Sequence, residues 1–568
     1  MSRKTFSRKL SFFLLLAVVG FVQPVNAQES FIHLDKSFYV NGEVIWYKMY
    51  LPKSFGNSPL VVKAVILNKE GGEMDYVFHK VDEFGQVSGY YKVPFDMPTG
   101  MYRLVFRTLD IPQLTNQELG SRIFPVYNDN DLRTLQEQMV ELPEERRREM
   151  ADMGNGLKIR LSIDPVNPGV RDQLNLRIQV SDPQGNWQPA RASVAITDWG
   201  QVEPALGFYK GVTQGENLAG LNPDNLAGQW YKRIKSVDEA GKARMTSVIG
   251  VWSSDENRMF FSRRTNEEGV SLLELPDFKG EKTIQFLGFQ KEVDQLRTKS
   301  ISEQAEPIAE KMLITPGLLT YLEKSQKRKK IFQYYGQLEF DLRPEPQELD
   351  IRELKGNQSY RIQDYESFDN FATFFQENLS PLRFLEDRDN NRYIAYIYNP
   401  RNNRRNNRYE GRPLFIIDGK ATRNSDFVGR LDLGPIEEVQ LFFRPENMRE
   451  YFNVMGSSGV VTVSLTGEDE IQLPAEDEAN RYRVNGIQPF AEFPAFDPEQ
   501  TGGGQPPFFR PQLFWAPDVV ISDESGTSLP FIHSDATGIF RIEVFVQDAA
   551  GRQGYQTLMY EVPATRPE

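Results

Sequence analysis

The chain has 568 residues, with 66 basic against 79 acidic side chains, a net charge of −13 and no cysteine. An acidic balance of this size argues against a general affinity for nucleic acid or for an anionic membrane face. The lack of cysteine excludes disulfides, thiol catalysis and cysteine metal sites, so stability must come from core size, divided among several domains.

Arg3, Lys4, Arg8 and Lys9 precede the apolar run from Leu10 to Val22, and Val25-Asn26-Ala27 offers small residues at the two positions a signal peptidase reads. This is the pattern of a cleavable secretory signal peptide over 1–27, with cleavage between Ala27 and Gln28. The apolar run is short for a bilayer span, and no later run of about 18 apolar residues offers a transmembrane helix. No cysteine follows the signal to carry a lipid. The mature chain is therefore expected to be exported, without a transmembrane segment of its own, to the periplasm, the outer membrane or the cell surface.

Residues 28–127 read as an antiparallel β-sandwich. Phe31–Leu34, Val44–Tyr50, Leu60–Leu67 and Tyr102–Phe106 are short apolar or alternating runs, separated by Asn41-Gly42, Asn57-Ser58-Pro59, Gly71-Gly72 and Pro98-Thr99-Gly100. Residues 128–156 lose this period, and Glu144-Glu145-Arg146-Arg147-Arg148-Glu149 predicts a solvated helical linker. A second sandwich over 157–243 begins with the alternation of Lys158–Ile163 and Leu174–Val180, adds Ala192–Asp198, and runs into a poorly patterned excursion from Gln201 to Ala243.

A small β-unit is expected over 244–300. A basic helical connector follows over 301–344, where Lys324, Lys327, Arg328, Lys329 and Lys330 predict a solvated face. Residues 345–470 read as mixed α and β, with an amphipathic helix over Phe368–Leu379 and strands at Leu414–Asp418 and Val460–Leu465. Residues 471–509 read as a linker ending in Gly502-Gly503-Gly504, and 510–568 as part of a further C-terminal sandwich. The fold class expected is mainly β and multidomain: tandem antiparallel sandwiches with one small α+β domain.

The residues that carry chemistry elsewhere are not arranged for it here. His33, His79 and His533 are scattered, without a metal-ligand spacing, and there is no Gly-x-Ser-x-Gly elbow or phosphate-cradling loop. No cofactor, metal or catalytic residue is expected. Two acidic clusters, Asn128–Asp131 and Glu386–Asn390, carry hard oxygen ligands of the calcium type, but turn chemistry accounts for them as well. The 39 Phe, 23 Tyr and 6 Trp suit sandwich cores and cross-strand pairs, and some could form a binding surface.

Two stretches resemble known families. Leu34-Asp35-Lys36-Ser37-Phe38-Tyr39-Val40-Asn41-Gly42-Glu43-Val44-Ile45-Trp46-Tyr47-Lys48 resembles the opening of the second macroglobulin-like domain of alpha-2-macroglobulins. The resemblance implies that Tyr39 and Ile45 pack inward and that Gly42 takes a turn. Phe84–Gly89 and Pro98–Leu104 look like the closing hairpin of the same domain. Leu513–Asp518, Asp523–Gly526 and Ser534–Arg541 look macroglobulin-like again, and Thr265–Pro276 is similar to the regulatory β-sandwich of carboxypeptidases.

The second resemblance is to the plug domain of TonB-dependent outer-membrane transporters. It rests on Pro413, Leu414, Ile417, Asp418 and Gly419, then Glu437 and Val439, then Gly456 and Gly459, with one residue fewer between the two glycines than in that family. A transporter follows its plug with a barrel of about 22 strands. About 100 residues follow here, so the resemblance covers a plug without a barrel. The whole order resembles exported proteins of Bacteroidota that combine macroglobulin-like and plug-like domains.

These features lead to a first expectation: a non-enzymatic envelope protein built of interaction modules, an accessory of TonB-dependent uptake with an outer-membrane transporter among its candidate partners. The alternatives are a macroglobulin-like protease trap, with Asn399–Asn407 or Gln201–Ala243 as bait, and an enzyme acting on an exported polymer through acidic residues.

Overall fold

Short β-branched and aromatic runs between turn residues build the N-terminal unit as an antiparallel sandwich. The computed structural model describes residues 30–51, 61–108, 118–136, 156–199, 230–237, 242–243, 249–253, 261–275, 279–288, 297–300, 305–309, 312, 314–334, 354–365, 367–399, 407–467, 470–494 and 507–564. Ala27 and Gln28, the 137–155 part of the expected linker, and most of the two expected bait segments lie outside them.

The first unit comprises β1 (Phe31–Leu34), β2 (Tyr39–Val40), β3 (Val44–Tyr50), β4 (Val61–Leu67), β5 (Glu73–Lys80), β6 (Gln86–Lys92), β7 (Gly100–Thr108) and β8 (Glu118–Tyr127). They form sheets of order β1-β3-β6 and β2-β8-β7-β4-β5. Tyr39, Ile45, Tyr47 and Met49 enter a core with Val62, Leu104, Phe106 and Phe124, and Gly42 takes its turn at φ 84°. All seven residues of β3 are buried. Alternation explains how: Ile45, Tyr47 and Met49 face this core, whereas Val44 and Trp46 face Ala195 and Trp515 of the next unit.

After α1 (Leu132–Gln136), the chain forms β9 (Lys158–Asp164), β10 (Gln173–Ser181) and β11 (Ala190–Asp198). The sandwich begun here is not completed by the residues that follow. Six strands of a further unit intervene: β12 (Trp230–Val237), β13 (Ile249–Ser253), β14 (Phe261–Arg263), β15 (Val270–Leu275), β16 (Glu281–Gly288) and β17 (Arg297–Ser300). They form sheets β15-β12-β17 and β14-β13-β16, the latter extended by a later strand.

Helix α2 (Pro316–Tyr334) comes next. It was expected to be solvated all along its basic run, and only part of it is. Lys324, Lys327 and Lys330 are exposed and Arg328 is buried, while Leu318, Tyr321 and Leu322 pack on Phe38, Val40, Tyr127 and Leu135. An apolar face on the same helix decides the matter: once it docks, the cations one turn along are carried inward with it.

The mixed α/β unit holds β18 (Gln358–Arg361), α3 (Phe371–Glu377), β19 (Leu382–Asp387), β20 (Arg392–Ile397), β21 (Leu414–Ile417), β22 (Lys420–Thr422), α4 (Ser425–Gly429), β23 (Ile436–Phe442), α5 (Pro445–Phe452) and β24 (Val460–Leu465). Its sheet runs β18-β23-β24-β21-β22, with β21 and β24 parallel. Along β21 the faces alternate. Phe415 and Ile417 join Phe371, Phe374 and Phe375 of α3, whereas Leu414 and Ile416 join Met448 and Phe452 of α5 and Leu287 of β16. Asn370 caps α3 and closes a capping box with Thr373.

Residues 471–509 were expected to be a linker and include structured pieces. After α6 (Ala475–Glu478), β25 (Arg481–Asn485) pairs with β16 and completes the sheet of the preceding unit. Ile487 then bridges to Phe78 and Lys279. The strand is five residues long and strongly charged, which hides it from an alternation test.

Finally β26 (Gln512–Ile521), β27 (Thr527–Ile532), β28 (Gly538–Asp548) and β29 (Gln553–Val562) return to the open sandwich. β27 adds to β10-β9, and β11 lies between β26 and β28 in the sheet β26-β11-β28-β29. Residues 157–198 and 510–562 thus form one sandwich around one core, where the sequence placed two units. Periodicity identifies strands but not their partners, and β11, buried along most of its length, needs two neighbours that arrive only at the C-terminal end. The chain is mainly β, with several sheets packed as sandwiches.

Candidate functional site

The residues singled out in the mixed unit converge on one sheet, and most are spent inside it. Pro413, Leu414, Ile417 and Val439 are buried. Asp418 and Gly419, at φ 40° and 77°, make the two-residue turn between β21 and β22. The Asp418 amide donates to the Val463 carbonyl at 3.0 Å, and its Oδ1 accepts from the Leu465 amide at 3.2 Å. A Cβ on Gly459, at φ 93°, would stand 2.6 Å from Ile397 Cδ1, and one on Gly456 would stand 3.0 Å from Phe452 Cβ. These residues set a backbone crossing. Glu437 and Asp418 alone among them are exposed.

What this unit turns outward is the hairpin β19–β20. Its pairs alternate: Leu382–Ile397 and Phe384–Ala395 face the core, while Arg383–Tyr396 and Leu385–Ile394 share the opposite face. Leu385 is 47% exposed and Tyr398 41%. The Tyr396 and Tyr398 rings meet edge to face at 5.4 Å, and the Arg408 guanidinium lies 5.6 Å from the Tyr396 ring centre. Burial, followed by the neighbouring Tyr398, pushes the Tyr396 phenol up to about 12, so it is neutral at physiological pH. An apolar and aromatic face edged by arginine is the composition of a protein-contact surface. Sequence inspection missed it because only the pairing register shows which residues share the face.

A second feature sits where the two sandwiches meet. His33 Nδ1 and Ser193 Oγ are 2.5 Å apart, Tyr50 donates its hydroxyl to Ser193 Oγ at 2.7 Å, and Glu543 Oε1 lies 3.7 Å from His33 Nε2. Arg541 holds the other Glu543 oxygen at 3.0 Å. Serine, histidine and carboxylate in series resemble a nucleophile with its base. Ser193 and His33 are, however, 0% and 1% exposed, so no substrate reaches the hydroxyl. Burial foremost holds the His33 imidazole down near 4, against the pull of Glu543. The cluster therefore acts as an interdomain lock. It is flanked by Phe31 stacked on Phe545 at 3.9 Å and by the ion pair of Lys48 with Asp518.

The other two histidines are also interior. His79 Nε2 lies 2.9 Å from the Tyr47 hydroxyl, and burial lowers its pKa to about 3. His533 Nδ1 lies 2.9 Å from the Ser534 carbonyl.

Beside the lock the sandwiches leave a cleft of about 400 Å³, lined among others by Phe84, Pro189, Arg191, Val520 and Gln547. Arg191 stacks 3.7 Å from the Phe84 ring centre and pairs with Asp82 at 3.4 Å. The lining combines apolar side chains with charges of both signs, Arg191, Glu83 and Asp548.

The two acidic clusters serve local structure. Asp129 Oδ2 accepts from Lys329 Nζ at 2.7 Å, Asp131 Oδ2 from Thr99 Oγ1 at 2.7 Å, and Asn128 Oδ1 from the Asn130 amide at 3.0 Å. Asp387 accepts from Asn390 at 3.0 Å and Arg392 at 3.1 Å, which hold its carboxyl below the usual range. No group of three or more histidine, aspartate or glutamate side chains converges among the described residues. No described helix is long and apolar enough to cross a membrane.

No protein-family model and no curated protein matches the chain. Among solved structures, it is similar to a Salmonella alpha-2-macroglobulin reacted with methylamine, at 9% identity and a TM-score of 0.23 over 94% of this chain and 39% of that one. It is similar to the same degree to a trypsin-activated alpha-2-macroglobulin from Escherichia coli, at 9% identity and a TM-score of 0.23 over 94% and 41% of the two chains. The Yersinia pseudotuberculosis adhesin InvE matches at 12% identity and a TM-score of 0.12, over 46% and 55%. The chain spans about two fifths of the macroglobulins it matches. TM-scores of this size assign neither an activity nor a partner.

Proposed function

We propose that this chain is an exported, non-enzymatic interaction protein of a bacterial cell envelope, and that the outer face of hairpin β19–β20 is a contact surface for a partner protein. The finer reading is that of macroglobulin-like sandwiches carrying a plug-like domain, in the periplasm or at the outer membrane, as an accessory of TonB-dependent uptake with an outer-membrane transporter as partner. One observation carries the proposal. The serine and histidine that could support catalysis, Ser193 and His33, are sealed between two sandwiches, while the mixed unit spends its motif residues inside and turns Leu385, Tyr396 and Tyr398 outward.

The sealed lock also bears on the polymer-hydrolase alternative, because Glu543 is held by Arg541 and its histidine and serine neighbours are buried. The test is co-purification. A tagged chain extracted from its native envelope at mild salt should bring down a defined partner identified by mass spectrometry. Turnover of an oligosaccharide or peptide by the purified protein would overturn the non-enzymatic reading.

A further inference from the structure

Val520 on β26, Arg191 on β11 and Gln547 on β28 stand side by side across three neighbouring strands of the second sandwich. They form one wall of the cleft of about 400 Å³, and Glu83, Phe84 and Gln86 of the β5–β6 connection form the other. Its volume lies in the range of ligand pockets, about 300–1,000 Å³. Phe84 is 39% exposed and Val520 52%, so the apolar lining runs out to the mouth. The cations at the cleft are spent: Arg191 lies on the Phe84 ring and pairs with Asp82, and Arg552 donates to Asp548 Oδ2 at 2.6 Å. The buried group left unsatisfied is an acceptor. Gln86, 3% exposed, donates its Nε2 to Gln547 Oε1 at 3.3 Å, and its own Oε1 is buried with no donor among the described residues. A buried acceptor left without a donor costs about 1–3 kcal/mol. Glu83, at the rim, is an exposed carboxylate outside both ion pairs.

We propose that this cleft binds a segment of a partner polypeptide in which an apolar side chain stands beside a lysine or arginine. The apolar side chain fills the space between Phe84 and Val520, an N–H of the segment donates to Gln86 Oε1, and the cation meets Glu83. Charge complementarity selects the basic neighbour. With Asp82 and Asp548 each balanced by an arginine, Glu83 leaves the rim negative, on a chain whose net charge is −13. Bound there, the segment touches both sandwiches at once. The cleft is separate from the hairpin face, and either site can fail without the other.

The experiment pans a random heptapeptide display library on the full mature chain and measures Kd for the enriched consensus peptide by calorimetry. The consensus should pair an apolar residue with an adjacent lysine or arginine. Val520→Arg puts a long cation into the mouth at an exposed position and should weaken binding at least about tenfold. Glu83→Lys should weaken it about fivefold, whereas Glu323→Lys, the same charge change on the exposed face of α2, should leave it unchanged. Gln86→Leu removes the buried oxygen and should weaken it about fivefold, with Tm recorded beside it. The two exposed cleft variants carry the test if that one fails to fold. A library that yields no apolar and basic consensus, or a consensus peptide bound equally by the parent, Val520→Arg and Glu83→Lys, would overturn the site. Phenethylamine, a free apolar amine, bound as tightly as the peptide would overturn a polypeptide as its occupant.

Discussion

Ser193 on β11 and His33 on β1 stand 160 positions apart in the chain and 2.5 Å apart in space. Their contact, with Tyr50 on the same hydroxyl, welds the first sandwich to a second one whose strands come from both sides of a long insertion. Removing that hydroxyl strands two buried polar groups at once. Ser193→Ala should destabilise the chain by about 1–3 kcal/mol, read as a lower denaturation midpoint at unchanged slope. An unchanged midpoint would show that the contact does not bear load.

The lock also sets a pH dependence. His33 titrates near 4 in the folded chain against 6.5 when free, and burial is the main cause. A folded pKa below the unfolded one means that the unfolded state takes up the proton first as pH falls. The stabilising contribution is therefore whole above 6.5 and lost between 6.5 and 4, amounting to about 3 kcal/mol at about 1.4 kcal/mol per pKa unit. His79, lowered to about 3, acts in the same direction. Asp35, raised by burial to about 7, acts in the opposite one, losing stability as pH rises from about 4 to 7. Urea unfolding at a series of pH values should show a net fall from pH 6.5 to 4, and His33→Gln should flatten it.

The second sandwich is discontinuous, and a truncation tests that directly. A chain ending at residue 243 keeps β9, β10 and β11 but loses β26 and β28, the two neighbours of β11. Leu174, Leu176, Val194 and Ile196 would then lose the core they share with Phe540, Ile542 and Val544. The truncated product should show a folded first sandwich and an unfolded remainder by amide NMR dispersion. Supplying 507–564 in trans should restore dispersion to the β11 resonances.

Two glycines separate backbone strain from collision. Gly185 and Gly459 both sit at φ 93°, but a Cβ meets nothing within 4 Å at Gly185 and stands 2.6 Å from Ile397 at Gly459. Gly185→Ala should cost about 1–2 kcal/mol, the penalty of a left-handed residue. Gly459→Ala should cost more by a further 1–3 kcal/mol or so, the range for overpacking a core. Equal losses in chemical denaturation would contradict the packing described around Ile397.

Much of this fold is legible from local pattern, and the exceptions share one cause. Lys158–Ile163 alternates along the sequence and its burial alternates along β9. The run Val44–Tyr50, apolar or aromatic except for Lys48, marks a strand, and Asp418-Gly419 marks a turn. The partners of these elements are invisible locally. Nothing near β11 announces that Ala195 will lie opposite Trp515 and Val194 opposite Val544. The strand Arg481–Asn485 is too short and charged to stand out until β16 pairs with it. The same holds for function: the motif around Asp418 and Gly459 can be read from sequence but is structural, whereas the outward grouping of Leu385 with Tyr396 follows only from register.

The most direct measurement is capture from the native envelope by the tagged parent chain and by a Leu385→Asp/Tyr398→Ala variant, with Tm recorded for both. Both positions are on the surface, so Tm should differ by no more than surface substitutions allow, about 0.5 kcal/mol each. The account predicts that the parent retains a defined partner and that the variant retains about tenfold less of it. Equal recovery by two equally stable proteins, or recovery of no partner by the parent, would contradict the hairpin face as the contact.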